Sequence, residues 1–170
     1  MVIIVSSHIR RLAFTITPDN INQGSNILHL WYKESIITSE VLDQFKQADT
    51  NSNSDNDYAK LTNITFSSNL SSIGSRTFSS CPYIRDLTIP ATTQEISNNA
   101  FEDASGLTTL TFLGERPTNF YYFDLSGTNL QNIYYIEGND RWRPEILSYS
   151  GLDISVNIMP IPYNQNLIGD

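Results

Sequence analysis

Residues 61–112 read LTNITFSSNLSSIGSRTFSSCPYIRDLTIPATTQEISNNAFEDASGLTTLTF, and this stretch decides the fold. Apolar residues recur in it at every twenty-third position. Such a period is typical of proteins built from stacked repeats, because one short unit cannot bury its own apolar face. The recurring positions are Leu61, Ile84 and Leu107, then Ile64, Leu87 and Leu110, then Phe66, Ile89 and Phe112.

The repeat continues outward from this stretch. A fourth copy keeps the spacing with Leu130, Ile133 and Tyr135. Within each unit, inward residues alternate with polar ones, the pattern of a half-buried β-strand. Later in the unit the matched pairs are Ile73 with Ile96, Phe78 with Phe101, and Cys81 with Ala104. Since Cys81 takes the place of an alanine, we expect it to be a buried, inert thiol.

The unit L-x-x-I-x-F, with a later Phe and a small residue, resembles the leucine-rich repeat of the BspA-like type. The resemblance is close over residues 61–135 and looser over 25–160. It implies one parallel strand per coil and a binding or surface role. The predicted fold is therefore a short right-handed leucine-rich-repeat solenoid, a β-rich member of the α/β class with parallel strands and capping elements.

Both ends of a solenoid need caps, since an open end exposes apolar surface and strand edges. We predict an N-terminal capping segment at residues 1–24, the solenoid at 25–136 and a C-terminal cap and tail at 137–170. Residues 12–16 alternate and end at Pro18, which predicts a capping strand. A last strand is predicted over 154–158, ending before Pro160 and Pro162.

Two coils depart from the pattern. In the third, the expected apolar slots hold Asn119 and Asp124, and the aromatic residues 120–123 are predicted to fill them after a slip of one residue. A degenerate first coil precedes a polar loop at 48–58, with a helical turn predicted from Thr38-Ser39 through Phe45. Its core positions, Leu28, Leu30, Ile37, Leu42 and Phe45, have the spacing of Ile64, Phe66, Ile73, Phe78 and Cys81.

The net charge of the chain limits the classes of partner that it can bind. Only 16% of the residues are charged, and the net charge is -8 with a pI of about 4.6. An acidic surface repels nucleic acid and anionic lipid. The apolar run Val2–Val5 is too short for a secretory signal, and the sequence predicts no membrane insertion because it has no 18-residue apolar stretch. The localisation stays open between the cell surface, which the resemblance implies, and a virion.

Chemistry-bearing residues are sparse. Neither His8 nor His29 has a nucleophile or carboxylate at the sequence spacing of a known catalytic arrangement. The pair Glu102-Asp103 is typical of two solvated carboxylates in a turn, not of an acid and base couple. With one cysteine, no intramolecular disulfide is possible. We therefore predict no enzymatic activity, no catalytic, cofactor or metal residues, and no cofactor.

Two further motifs leave alternatives open. Alternate oxygen-bearing residues at 49–57 echo a calcium loop but lack its central glycine and final glutamate, so a mobile or partner-ordered loop is favoured. Asn63 and Asn69 begin glycosylation sequons, which matter only on a eukaryotic secretory route.

The candidate partner-binding residues lie on the outward strand positions and in the aromatic run. They are Thr65, Thr88, Thr111, Tyr134, Tyr121 and Tyr122, with Asn63, Asp86, Thr109 and Asn132 as a second row. Plain strand surface and aromatic core filling are the competing interpretations. The predicted function is a protein-interaction or adhesion module whose partner is not identified. The alternatives are a structural subunit that contacts neighbouring subunits of a large assembly such as a virion, which a start at Met1 favours, and a carbohydrate-binding surface module.

Overall fold

The computed structural model describes residues 2–5, 27–46, 60–79, 81–117, 125–139, 141–142 and 156–163. Strands dominate these ranges, and they contain one helix. In chain order the elements are β1 (Val2–Val5), β2 (Ile27–Tyr32), β3 (Ile36–Ile37), α1 (Ser39–Lys46), β4 (Lys60–Phe66), β5 (Ser72–Ile73), β6 (Asp86–Ile89), β7 (Glu95–Ile96), β8 (Thr109–Phe112), β9 (Asn132–Ile136) and β10 (Asn157–Ile161).

These strands form three parallel sheets. The N-terminal sheet has the order β1-β2-β4, and the C-terminal sheet has the order β6-β8-β9-β10. A side sheet of two-residue strands, in the order β3-β5-β7, completes the coils. Neighbouring strands come from successive copies of the repeat, as the resemblance implied, which is consistent with a short β-rich solenoid.

The predicted register is confirmed where the repeat is regular. In the side sheet, Ile37 pairs with Ile73 and Ile73 with Ile96, and all three side chains are fully buried. In the C-terminal sheet, Leu87 pairs with Leu110, the residue that the period of the repeat sets opposite it. In a parallel ladder between regular coils, paired residues are one repeat apart because each of these coils adds the same length of chain.

One apolar core runs through the stack. The rings of Phe78 and Phe101 stack with centroids 5.4 Å apart and planes 9° from parallel. Cys81 and Ala104 are buried, as predicted from their shared small-residue position. Aromatic stacking of this kind strengthens the contact between coils beyond area burial alone.

The register of the first coil differs from the prediction. The sequence matched Leu28 and Leu30 to Ile64 and Phe66, whereas in the structure Leu30 pairs with Ile64 and Tyr32 with Phe66. The prediction was wrong by two residues. Because side chains alternate with period two, this even shift leaves Leu30 on the core side, where it is fully buried.

A shorter connection explains the difference. Ile37 follows Tyr32 by five positions, whereas Ile73 follows Phe66 by seven. The hydroxyl of Tyr32 donates a hydrogen bond to the Ile36 carbonyl across this connection. Two other parts of the predicted first coil are confirmed, since α1 forms at the predicted place and Leu42 is fully buried. The side chain of Phe45, a further predicted core residue, lies outside the described residues.

The third coil slips by one residue, but toward Leu125 and not toward the aromatic run that was predicted to fill its slots. Leu125 is buried, and its carbonyl accepts from Thr128, as the carbonyl of Phe101 accepts from Ala104. Leu125 therefore occupies the phenylalanine position, one place later in the chain than the period after Phe101 would put it. The aromatic residues 120–123, expected to fill this place, lie outside the described residues.

The caps differ in part from the prediction. The N-terminal edge strand in the described ranges is β1, and the predicted strand at 12–16 lies outside them. At the other end, β10 begins three residues later than predicted and runs through Pro160 to Ile161. Proline is tolerated there because β10 lies at the edge of its sheet, where one side of the strand needs no amide donor.

Candidate interaction surface

The outward side chains of the C-terminal sheet arise from simple alternation. In β6, Leu87 and Ile89 are buried while Asp86 and Thr88 are exposed. The same alternation holds in β8, where Leu110 is fully buried. A strand with one face on the core must turn every second side chain outward.

The ladder brings these outward residues into register. Thr88 pairs with Thr111, Thr111 with Tyr134, and Tyr134 with Met159. We call Thr88, Thr111, Tyr134 and Met159 the outer row. Thr88 is exposed and the other three are half-buried. Three of the predicted partner-binding residues are thus brought together, about 4.8 Å from one strand to the next.

A second row runs beside the outer row. The paired residues are Asp86, Thr109, Asn132 and Asn157. The Asn157 amide Nδ2 donates to Asn132 Oδ1 at 3.3 Å. Asp86 is the one charged side chain of these two rows, so the surface is polar but nearly neutral.

Thr65 belongs to a different sheet. It lies on β4, pairs with Trp31 of β2, and is half-buried. Among the described strands no ladder joins β4 to β6, so Thr65 belongs to the N-terminal sheet and the outer row belongs to the C-terminal sheet. The predicted partner-binding residues Tyr121 and Tyr122 lie outside the described residues.

The core beneath the outer row is firmly packed. Ile133 and Leu110 are fully buried, and Trp142 is 4% exposed. The Trp142 ring lies 4.7 Å from the Phe112 ring and 5.8 Å from that of Tyr135, measured between centroids. The side chains of the row therefore stand on a rigid base, which lowers the entropy lost on binding.

The family is identified by its repeat. A model of the BspA type leucine rich repeat region matches six copies over residues 34–153. The chain belongs to the BspA-type leucine-rich-repeat family. Comparison with curated proteins and with solved structures gave no match. Leucine-rich repeats generally serve as protein-interaction modules and typically carry no active site.

The acidic pair Glu102-Asp103, in a turn of the BspA-type repeat, makes hydrogen bonds to neighbouring coils. Glu102 accepts two hydrogen bonds from the Arg76 guanidinium, at 2.9 Å and 3.2 Å. This bond to Glu102 is the main reason that the pKa of Arg76 is raised. Asp103 has a positive φ of 57° and its amide donates to the Ser126 carbonyl. Both residues therefore connect turns of neighbouring coils, as a surface pair would.

The remaining candidates are placed as follows. His29 lies in β2 opposite Asn63, and His8 lies outside the described residues, as does the loop at 49–57. Asn63 and Asn69 are both exposed. In the described part of the chain, no three His, Cys, Asp or Glu side chains converge on a metal-sized site, and no helix has the length and hydropathy needed to span a membrane.

Sequence reasoning missed two register positions of the sheets. Met159 ends the outer row, and Trp31 takes the register position beside Thr65. The interval from Tyr134 to Met159 and that from Trp31 to Thr65 are both longer than the period of the repeat, so the period finds neither residue. The signal that could have found Met159 is the Asn-x-Tyr pattern at 132–134, which returns as Asn-x-Met at 157–159.

Proposed function

We propose that this protein is a non-enzymatic protein-interaction module whose partner contacts the outer row. The observation that carries the proposal is the ladder register, which sets Thr88, Thr111 and Tyr134 side by side on one face of the sheet. Parallel strands held by a continuous core present these groups without rearrangement, so binding costs little conformational entropy.

Tyr134 is the expected anchor of the contact. Its side chain is half-buried between Thr111 and Met159, which limits the rotamer freedom it loses on binding. Tyrosine is enriched among residues that dominate binding energy, and surrounding threonines supply a polar rim. The near-neutral row also predicts binding that depends weakly on salt.

The test compares Tyr134→Ala with Tyr83→Ala, a matched loss of a tyrosine that is 44% exposed on a turn. Each immobilised variant is exposed to an extract of the native source, and the dissociation constant of the retained protein is measured. We expect Tyr134→Ala to cost about 2 kcal/mol, or about thirtyfold in Kd. Tyr83→Ala should bind as the unchanged chain does.

A second variant tests the non-enzymatic part of the proposal. We combine His8→Asn, His29→Asn, Glu102→Gln and Asp103→Asn, which removes the best candidates for acid or base chemistry while keeping hydrogen-bonding side chains. Binding should change by less than about 1 kcal/mol. A silent Tyr134→Ala together with a quadruple variant that no longer binds would overturn the proposal.

A further inference from the structure

The C-terminal sheet ends, within the described part of the chain, at β10. A terminal strand of a parallel sheet has one side bonded to its neighbour and one side that offers amide and carbonyl groups to any incoming strand. In a repeat protein this edge is the natural place for another strand to extend the sheet.

The hydrogen bonds of β10 show which residues face its neighbour. The Asn157 amide donates to the Gln131 carbonyl at 2.8 Å, and the Ile161 carbonyl accepts from the Glu137 amide at 2.9 Å. Since backbone groups alternate sides along a strand, Asn157, Met159 and Ile161 bond to β9. The backbone groups of Ile158 and residue 160 then face the outer edge, and residue 162 follows at the next position of that side.

Both later outward positions hold proline, and both prolines are exposed. Proline has no amide hydrogen, so Ile158 is the one donor among the three outward positions 158, 160 and 162. We propose that Pro160 and Pro162 close this edge of the C-terminal sheet to the addition of a further β-strand, including a strand of a second copy of the chain.

The placement of the prolines explains why they do not disturb the fold. At the bonded positions 159 or 161 a proline would remove a donor to β9, whereas at 160 and 162 it removes only a donor to an added strand. The outer row on the face of the sheet stays free of this block. Partners are thus directed to the side chains of the face and away from the backbone of the edge.

The experiment restores the missing donors with Pro160→Thr and Pro162→Thr together. Threonine has high β-propensity and an amide hydrogen. Sedimentation velocity over a range of concentrations should show constant mass for the unchanged chain. The double variant should show a rise in mass of about twofold or more with concentration, as strand addition between copies requires. Pro82→Thr, at an exposed proline in a turn, is the matched control and should sediment as the unchanged chain does.

A second readout locates the association. Hydrogen exchange at the Ile158 amide should slow in the associated double variant, because this donor faces the added strand. A double variant that keeps its circular dichroism and its constant mass overturns the proposal, and so does association that leaves exchange at Ile158 unchanged. Both single variants are measured alongside. If the double variant does not fold, the same two measurements on Pro162→Thr, which lies beyond the end of β10, test the proposal in its place.

Discussion

At the scale of single residues, the stacked rings of the core bind one coil to the next. Phe78 and Phe101 are 1% and 0% exposed, so each fills a closed slot. Phe66 continues the contact, with its ring edge-on to that of Phe78 at 6.5 Å. These slots could be predicted from the sequence, because a phenylalanine that recurs at the period of the repeat has only the shared core to occupy.

Phe101→Ala is expected to lower the free energy of unfolding by about 3–5 kcal/mol, since it removes a buried ring and leaves a cavity between two coils. Chemical denaturation of the purified chain measures the change. Tyr83→Ala, which truncates a ring that is 44% exposed, should cost far less. A loss below about 1 kcal/mol for Phe101→Ala would mean that the register of the core is wrong.

Tyr32 predicts how stability depends on alkaline pH. Burial, with a smaller contribution from Glu34, raises the pKa of Tyr32 to about 12 from 10.0. The folded state therefore favours the neutral phenol, and this contribution to stability is complete below pH 10 and is lost as the pH rises toward 12. Tyr32→Phe should abolish that part of the pH dependence and should cost about 0.5–1.5 kcal/mol at neutral pH through the lost bond to Ile36. Unfolding free energies of both chains at pH 8 and pH 11.5 check this, and equal pH dependence would contradict it.

At the scale of elements, regular coils could be predicted and irregular ones only in part. The strands of the C-terminal sheet follow from period and alternation alone. The first coil was misplaced by two residues because the length of the β2–β3 connection depends on the geometry of the turn, which the apolar pattern does not encode. The slip in the third coil was predicted, but Leu125 was not expected to fill the slot, since a neighbouring aromatic run supplied more bulk.

Deletion of residues 49–57 should leave the fold intact. In the sequence the loop joins α1 to β4, and β4 is held by its ladder with β2 and by the described residues of the core. Shortening a surface loop changes the closure entropy by only about 1 kcal/mol. Thermal unfolding and circular dichroism should match those of the unchanged chain, and a Gly/Ser replacement of 49–57 with the same length controls for the span. Loss of structure in both variants would remove the first coil from the solenoid, and stabilisation of the unchanged chain by calcium would favour a metal site in the loop.

At the scale of the whole molecule, the described coils are hydrogen-bonded to one another more continuously on one side of the stack than on the other. The side sheet continues from the first coil through the two regular coils that follow it, with Ser72 paired to Glu95. Beside it, the Thr93 hydroxyl donates to the Leu70 carbonyl at 3.2 Å. The N-terminal and C-terminal sheets, in contrast, are separate, since no ladder among the described strands joins β4 to β6. This break could not be predicted from the sequence, because Asn63-x-Thr65 and Asp86-x-Thr88 follow the same pattern and the same period.

Hydrogen exchange tests the break with matched positions. Thr109 and Thr111 are ladder partners of Asp86 and Thr88, and the Thr109 amide donates to the Arg85 carbonyl at 3.0 Å. One coil earlier, the Asp86 and Thr88 amides face β4, to which no ladder joins them. Their exchange should be about tenfold faster or more, because an amide outside a ladder exchanges without local unfolding.

Equal protection at the two pairs of positions would show that the N-terminal sheet continues into the C-terminal sheet from β4 to β6. Thr65 would then lie in register with Thr88, and the outer row would run from the first coils to β10. Faster exchange at Asp86 and Thr88 divides the face into two separate surfaces. A partner that needs a continuous row would then be confined to the C-terminal sheet, where Tyr134 lies.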